Sequence, residues 1–343
     1  MTITYIAEVS KSDIFAFART LLRWKGSVWK AVIFECILWS LCYTVISLIY
    51  RLALNDFFKL IIYFGVCLLC YQYIDFIPIT FMMGFFVSVV VTRWWSMFSR
   101  IGWIDNFALL VVSYIRGTDE KARRIRRSII RYVCFCQVLI FRSISVRVRK
   151  RFPSMESLEL AGTLLRIILT VKSFNDIKFW MPIRWAMHII RDARSTFDDH
   201  LNLWFTDWVP VPLVYTQVIF VSVRLYFIVA LLGRQFLNSG PQRQIDIYVP
   251  FVTIIQLICY TGWSKVAEAL LNPFGEDDDD FECNWIIDRN LQIGLAIVDD
   301  KPEVIPPLLT DKFWNEANAQ LLYSVQTATQ PQNPNIGSAA LLM

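Results

Sequence analysis

Four long apolar runs constrain this chain more than any other feature. Ala31–Tyr50 carries one charge, Glu35, and at about 20 residues it matches the helix that crosses a bilayer core. Leu60–Tyr73 and Ile77–Val91 form a second apolar region, longer than one crossing and broken around Asp75–Pro78. A proline with its restricted predecessor predicts a bent or interrupted helix there. Leu213–Leu232 and Ile247–Trp263 complete the set, with Arg224 inside the third. A charge at that depth faces protein or water, so an intersubunit salt bridge or snorkelling is expected of it. Composition agrees, because 56% of the residues are hydrophobic and only 18% charged, at a mean hydropathy of +0.45. A soluble domain carries about 25% charge. The expectation is an all-α membrane protein with four transmembrane helical regions and a cytosolic helical domain.

The stretch from Asp75 to Val87 has its own pattern. Ile77, Phe81 and Phe85 fall at i, i+4 and i+8, which on an α-helix makes one narrow apolar stripe. Ile79, Met83 and Phe86 occupy the opposite face, so the helix is expected to be buried nearly all round. Pro78 suits a first helical turn, and Gly84 would let a neighbouring backbone approach. Two readings stay open on the residues alone. One is an ordinary packed helix; the other is a hydrophobic constriction, with several copies ringing an axis.

Residues 1–10 alternate like an extended arm, and Phe15–Trp24 with Arg19 and Arg23 suits an amphipathic helix at a membrane surface. Between Arg116 and Arg151 the chain is densely basic, with Asp119 and Glu120 its only acids. The apolar pieces there, Phe107–Ile115 and Ile129–Phe141, are too short or too punctuated to span, so they read as helices of a cytosolic domain. The positive-inside rule then places this region, and both termini, in the cytosol. Nucleic acid is not an expected partner, because the basic residues flank spans and no nucleic-acid module is visible.

Asn272–Glu282 is an acidic cluster, Asn-Pro-Phe-Gly-Glu-Asp-Asp-Asp-Asp-Phe-Glu. It reads either as the acidic start of a helix or as a hard-cation site of carboxylate and carbonyl oxygens. Asp277 and Asp280, at i and i+3, can share a face. The spacing is not that of an EF-hand. The 8 cysteines lie mostly in apolar segments and imply no disulfide framework, and His188 and His200 form no catalytic set. No cleavable signal peptide is expected.

Met1–Tyr5, Leu22–Ser27, Ile77-Pro78, Arg93-Trp94-Trp95, Arg149–Pro153, Pro212–Gln217, Gly233–Leu237 and Asn272–Glu282 together resemble the bestrophins. The resemblance runs from residue 1 to about 315, and its last motif is highly specific. It implies a calcium-activated chloride channel of the plasma membrane, a multi-pass pentameric ring around one axial pore. Ile77, Phe81 and Phe85 match the family's neck. Asp277 and Asp280 match side-chain ligands of its calcium clasp, and Ser10, Ala269 and Asn272 match positions that give backbone carbonyls. The implied partners are chloride and other anions, membrane lipid, and further subunits in a homo-pentamer or mixed pentamer. The chain departs from the family between Arg194 and Asp207, where it is shorter, and in residues 163–177. The missing piece normally carries the lower aperture, so no aperture residue is assigned.

These readings divide the chain into an arm and amphipathic helix (1–30) and a first transmembrane pair with the neck (31–99). A basic cytosolic region (100–206), a second transmembrane pair (207–263), a clasp region (264–325) and a disordered tail (326–343) follow. Not an enzyme, the chain is expected to be a channel. The alternatives are a non-conducting subunit or scaffold co-assembling with complete members, motivated by the shortened 195–206 segment, and a Mg²⁺-dependent membrane enzyme. The enzyme would need two acidic motifs facing one cavity, and the sequence holds only the one at Asn272–Glu282.

Overall fold

The computed structural model describes residues 14–53, 55, 64–160, 180–189, 202–235, 249–299, 309–310 and 314–315. The chain divides into two compact units, Met1–Asp300 and Lys301–Met343, and the described helices belong to the first. The arm at residues 1–10, with Ser10, lies outside the described residues, as do residues 163–177, His200 and the tail at 326–343. The described elements are helical. They are α1 (Ile14–Leu21), α2 (Val28–Leu48), α3 (Phe64–Tyr73), α4 (Ile79–Ser99), α5 (Asp105–Tyr114) and α6 (Glu120–Ile144). Next come α7 (Val146–Arg151), α8 (Met155–Leu160), α9 (Trp180–Ile189), α10 (Leu213–Gly233), α11 (Phe251–Leu271) and α12 (Cys283–Asp299). A short unlabelled helix occupies 202–208.

Local chemistry sets several boundaries. Ser27 caps α2 by accepting a hydrogen bond from the Lys30 N–H, and Asp119 caps α6 through Ala122 N–H. The expected break in the second apolar region falls at Ile74–Phe76, a 3-10 turn between α3 and α4. Pro78 stands just before the helix as its N-cap rather than inside the first turn. The missing proline N–H is therefore outside the hydrogen-bonded ladder, and its carbonyl accepts from Met82 N–H. The helix also runs past Val91, through Trp94-Trp95 to Ser99.

Among the described residues three helical segments are long and apolar enough to cross a membrane: Val28–Leu52, Ile79–Ser99 and Leu213–Gly233. In place of the fourth expected span, Ile247–Trp263, the structure has α11, 21 residues long, which is not among these three and carries Lys265 and Glu268 towards its C-terminal end. These helices meet in one core, where Trp39 and Tyr43 of α2 pack with Ile79, Met83, Phe86 and Val90 of α4. Val223, Tyr226 and Phe227 of α10 and Leu257 of α11 close it. Trp39 Nε1 donates to the Phe227 carbonyl at 2.8 Å, which satisfies the indole where it is buried. Phe86 is fully buried, edge-on to Tyr215 and Phe220.

Arg224 meets an acid inside the bundle. Its partner is in the same chain: the guanidinium reaches Glu35 of α2 at 3.4 Å, and Lys265 of α11 lies 3.5 Å from the same carboxylate. The two charges singled out in the spans thus neutralise each other across packed helices.

The basic region folds around α6. Val133–Phe141 is buried without interruption, so this run is covered by protein. α9 and α12 pack on α6, and α12 also packs on α5. Arg126 is buried and donates to the carbonyls of Val298, Ile115 and Gly117, tying three segments together. Gln137 and Asn290 both donate to the Gly102 carbonyl and bond to each other. At the end of α12, Asp299 pairs with Arg123 and Arg127 of α6.

Replacing Phe86 with alanine should cost about 3–5 kcal/mol, because it opens a cavity in a closed core; thermal unfolding in detergent measures it. The hydrogen bond from Arg123, helped by Arg127, holds the Asp299 carboxyl below the ordinary carboxylate value. The stabilisation is therefore complete above the unfolded value of about 4 and lost as pH falls through the lower folded value. Between about pH 5 and pH 3 the unfolding temperature of the parent should fall more steeply than that of Asp299→Asn.

Candidate functional site: an apolar stripe and an acidic loop

α4 carries the stripe. Phe81 and Phe85 are 67% and 58% exposed, with ring centroids 4.8 Å apart and edge-on. The opposite face, Ile79, Met83, Phe86 and Val90, is buried in the span core. The helix is therefore not buried all round: it divides into a packed face and a bare aromatic face. Ile77 precedes the helix in extended backbone and is half-buried against the same core. The structure thus puts Phe81 and Phe85 on one helical stripe and Ile77 in the link leading into it. Gly84 is approached by the Trp263 side chain, 4.0 Å from where a Cβ would stand, and not by a backbone. Beside the stripe Thr80 and Tyr260 share a hydrogen bond of 3.0 Å. They border a cavity of about 660 Å³ that Arg234, Gln256 and Trp263 also line.

The acidic cluster is a loop, not the first turn of a helix; α12 begins only at Cys283. Each charge has a defined environment. Asp278 accepts from Lys30 Nζ at 3.0 Å and from the Gly26 N–H at 3.2 Å. Gly26 has φ +64°, the left-handed region that glycine enters without a Cβ penalty, and this turn presents its N–H to the loop. Glu276 pairs with Lys150, and Glu282 with Arg147 at 2.7 Å. Arg147 also donates to the Glu276 and Asp277 carbonyls, each at 2.9 Å. Asp280 is 1% exposed, and its Oδ2 accepts from the Asp277 N–H at 2.6 Å.

Of the sequence-assigned ligands, Asp280 and Asn272 meet at Gly275. A Cβ on Gly275 would stand 2.8 Å from Asp280 Oδ2 and 3.6 Å from the Asn272 carbonyl oxygen, so the bare glycine keeps both oxygens close. Ala269 and Asp277 line a neighbouring cleft of about 340 Å³ with Gly26, Lys30 and Lys265. Among the described residues no group of three or more His, Cys, Asp or Glu side chains forms a metal cluster. The assigned oxygens thus fall in two neighbouring places, Asp280 and Asn272 beside Gly275 and Asp277 and Ala269 in the cleft; carboxylate and carbonyl oxygens are the donor type that a hard cation takes. Burial pushes the Cys134 and Cys283 thiols up to about 12, so neither supplies a thiolate for a softer metal. Burial raises the Asp280 carboxyl above its usual value, and burial with neighbouring Asp278 and Asp277 does the same for Asp279. The Lys30 hydrogen bond lowers that of Asp278. A cation at the loop would relieve the first two.

Sequence reasoning does not single out Lys30, Arg147 or Lys150 as partners of the acidic loop. The basic run and the Gly26-Ser27 turn are visible in the chain, but their proximity to residue 278 is not.

The geometry defines a helical membrane protein with a bare aromatic stripe on one spanning helix and an oxygen-rich loop at its base. The family model described as "Bestrophin, RFP-TM, chloride channel" matches residues 1–200 and 195–300, and the chain belongs to the bestrophin family. It is 43% identical to bestrophin homolog 15 of Caenorhabditis elegans over 371 positions, covering 99% of this chain and 70% of that protein. It is 41% identical to human Bestrophin-1, covering 96% of this chain and 60% of that protein. A crystal structure of a bacterial bestrophin homologue from Klebsiella pneumoniae shares the fold at a TM-score of 0.58, with 18% identity over 81% of this chain and 100% of that one. The alignment with the worm relative is longer than the 343 residues here, and the family match divides at 195–200, where the sequence reads as shortened. The family description is that of a channel and favours neither alternative reading.

Gly275→Ala should push the Asp280 carboxylate out of its place and lower the unfolding temperature of the purified protein. Gly65→Ala, with no neighbour within 4 Å of the added methyl, is the control expected to leave it unchanged.

Proposed function

We propose that this chain forms a Ca²⁺-activated anion channel of the plasma membrane, with five copies around one axis and α4 of each copy facing it. The observation that carries this reading is the split on α4: Phe81 and Phe85 are left bare while Met83 and Phe86 are sealed in the core. In a ring, these stripes with Ile77 make an apolar neck. Four crossings, with α11 as the last, put both termini and the acidic loop on the cytosolic side. The family's chloride-channel description and the identity to its members support the reading.

At the neck Phe81 and Phe85 offer no fixed positive charge. Their ring edges are electropositive, and their edge-on pairing leaves edges available to a passing anion. A narrow apolar ring closes by dewetting, so a small change in its width decides between water and no water. On the cytosolic side Asp277 and Asp280 hold the cation by their carboxylates, and the Asn272 and Ala269 carbonyls complete the set with Ser10. Bound there, Ca²⁺ supplies the positive charge that crowded carboxylates lack. Lys30 and Arg147 keep the loop in place by pairing with Asp278 and Glu282, the acids next to the ligands.

Whole-cell recording of the chain alone, with intracellular Ca²⁺ varied, tests the reading. The parent should carry Cl⁻ current that rises with Ca²⁺. Ile77→Ala, Phe81→Ala and Phe85→Ala combined should give current independent of Ca²⁺, and Asp277→Ala should raise the Ca²⁺ needed. A triple variant that reaches the surface and still closes without Ca²⁺ removes the neck assignment. An unchanged dose–response in Asp277→Ala removes the clasp assignment. Current only on co-expression with a full-length relative would make the chain an accessory subunit.

A further inference from the structure

The acidic loop carries two phenylalanines, Phe274 and Phe281, on either side of its aspartates. Both are buried, at 0% and 6% exposure, in the core around α6. Their rings touch at 5.6 Å. Phe281 also lies 5.2 Å from Trp94 and 5.6 Å from Phe98. Trp94 and Phe98 sit one turn apart on α4 and are stacked on each other. The loop that ends in Asp280 is therefore plugged by the next residue into the base of the helix that carries the stripe.

We propose that Phe281 is a positioning residue that conveys the state of the acidic loop to α4. The proposal rests on the channel reading. Three features make Phe281 suited to this. It is covalently adjacent to Asp280, whose buried carboxylate is tied to the loop backbone by the Asp277 N–H, so a shift of the loop backbone at Asp280 carries Phe281 with it. Its own N–H donates to the Pro273 carbonyl at 2.8 Å, closing the loop at its base so that 273–281 moves as a unit. Its ring packs against three others, Phe274 in the loop and Trp94 and Phe98 of α4, in a buried site where close packing transmits displacement instead of absorbing it. From Trp94 the same continuous helix reaches Phe85 about 13 Å away, at 1.5 Å per residue. The loop's polar ties lead elsewhere: Asp278 to Gly26 and Lys30 at the start of α2, and Glu276 and Glu282 to α7.

The test separates conveyance from packing. Phe281→Leu and Phe281→Ala are made in the parent and in the triple-alanine neck, with Phe281→Trp as the conservative variant. Phe152→Leu serves as a control buried in the same core. In the parent neck Phe281→Leu should shift the Ca²⁺ concentration for half-maximal current by about fivefold or more. Phe281→Trp should restore part of it. In the alanine neck the Ca²⁺-independent current of Phe281→Leu should equal that of its background, which shows an assembled protein. Phe152→Leu should alter unfolding temperature without moving the Ca²⁺ dose–response. The proposal is overturned if Phe281→Leu leaves the dose–response unchanged. It is equally overturned if Phe281→Leu and Phe281→Ala lower current alike in both necks, the signature of packing alone. A parent without any Ca²⁺-evoked current removes the channel reading itself, whereas a gating parent beside an indifferent Phe281 variant removes only this coupling.

Discussion

α4 belongs to two cores at once, and the rest of the molecule depends on that sharing. Its first half buries Ile79, Met83, Phe86 and Val90 among the spans, while Met97 and the partly buried Trp94 sit in the core built on α6. A helix fixed at both ends in close-packed surroundings cannot move at one end alone. Its bare aromatic face is what remains after both cores have taken their share.

The spans are arranged so that the cost of charge in an apolar setting is met within one chain. Glu35, Arg224 and Lys265 come from three helices, and each would be costly alone. Together they fix the lateral order of α2, α10 and α11 in a core otherwise held by shape. Hydrogen bonds from Trp39 and Tyr43 of α2 to the carbonyls of Phe227 and Arg234, in α10 and at its end, add direction to the same contact.

The acidic loop is stabilised by a different balance. Four consecutive aspartates repel, and the fold answers with cations from distant segments: Lys30 in the first turn of α2, Arg147 and Lys150 after α6. These pair with Asp278, Glu276 and Glu282, while the buried Asp280 lies beside Gly275, where burial raises its carboxyl above the usual value. In the proposed channel, the acids that hold the loop, Asp278, Glu276 and Glu282, are thus different from those proposed to take the cation. Phe274 and Phe281 anchor the whole to the helical core, so charge and packing meet within a few residues.

Much of this was legible in the chain itself. The length and apolarity of Ala31–Tyr50 and Leu213–Leu232, the break near Pro78 and the punctuated basic region are local properties, set by hydropathy and by proline geometry. The spacing of Phe81 and Phe85 likewise determined that they share a face, because helical periodicity is local. Which face would be left bare was not determined, since Met83 and Phe86 are as apolar as Phe81 and Phe85. Only the packing of α10 and α11 against α4 decided it. The partners of Glu35, Arg224 and Asp278 were hidden for the same reason: the residues that neutralise them lie far away in sequence, and only the tertiary structure brings them within reach.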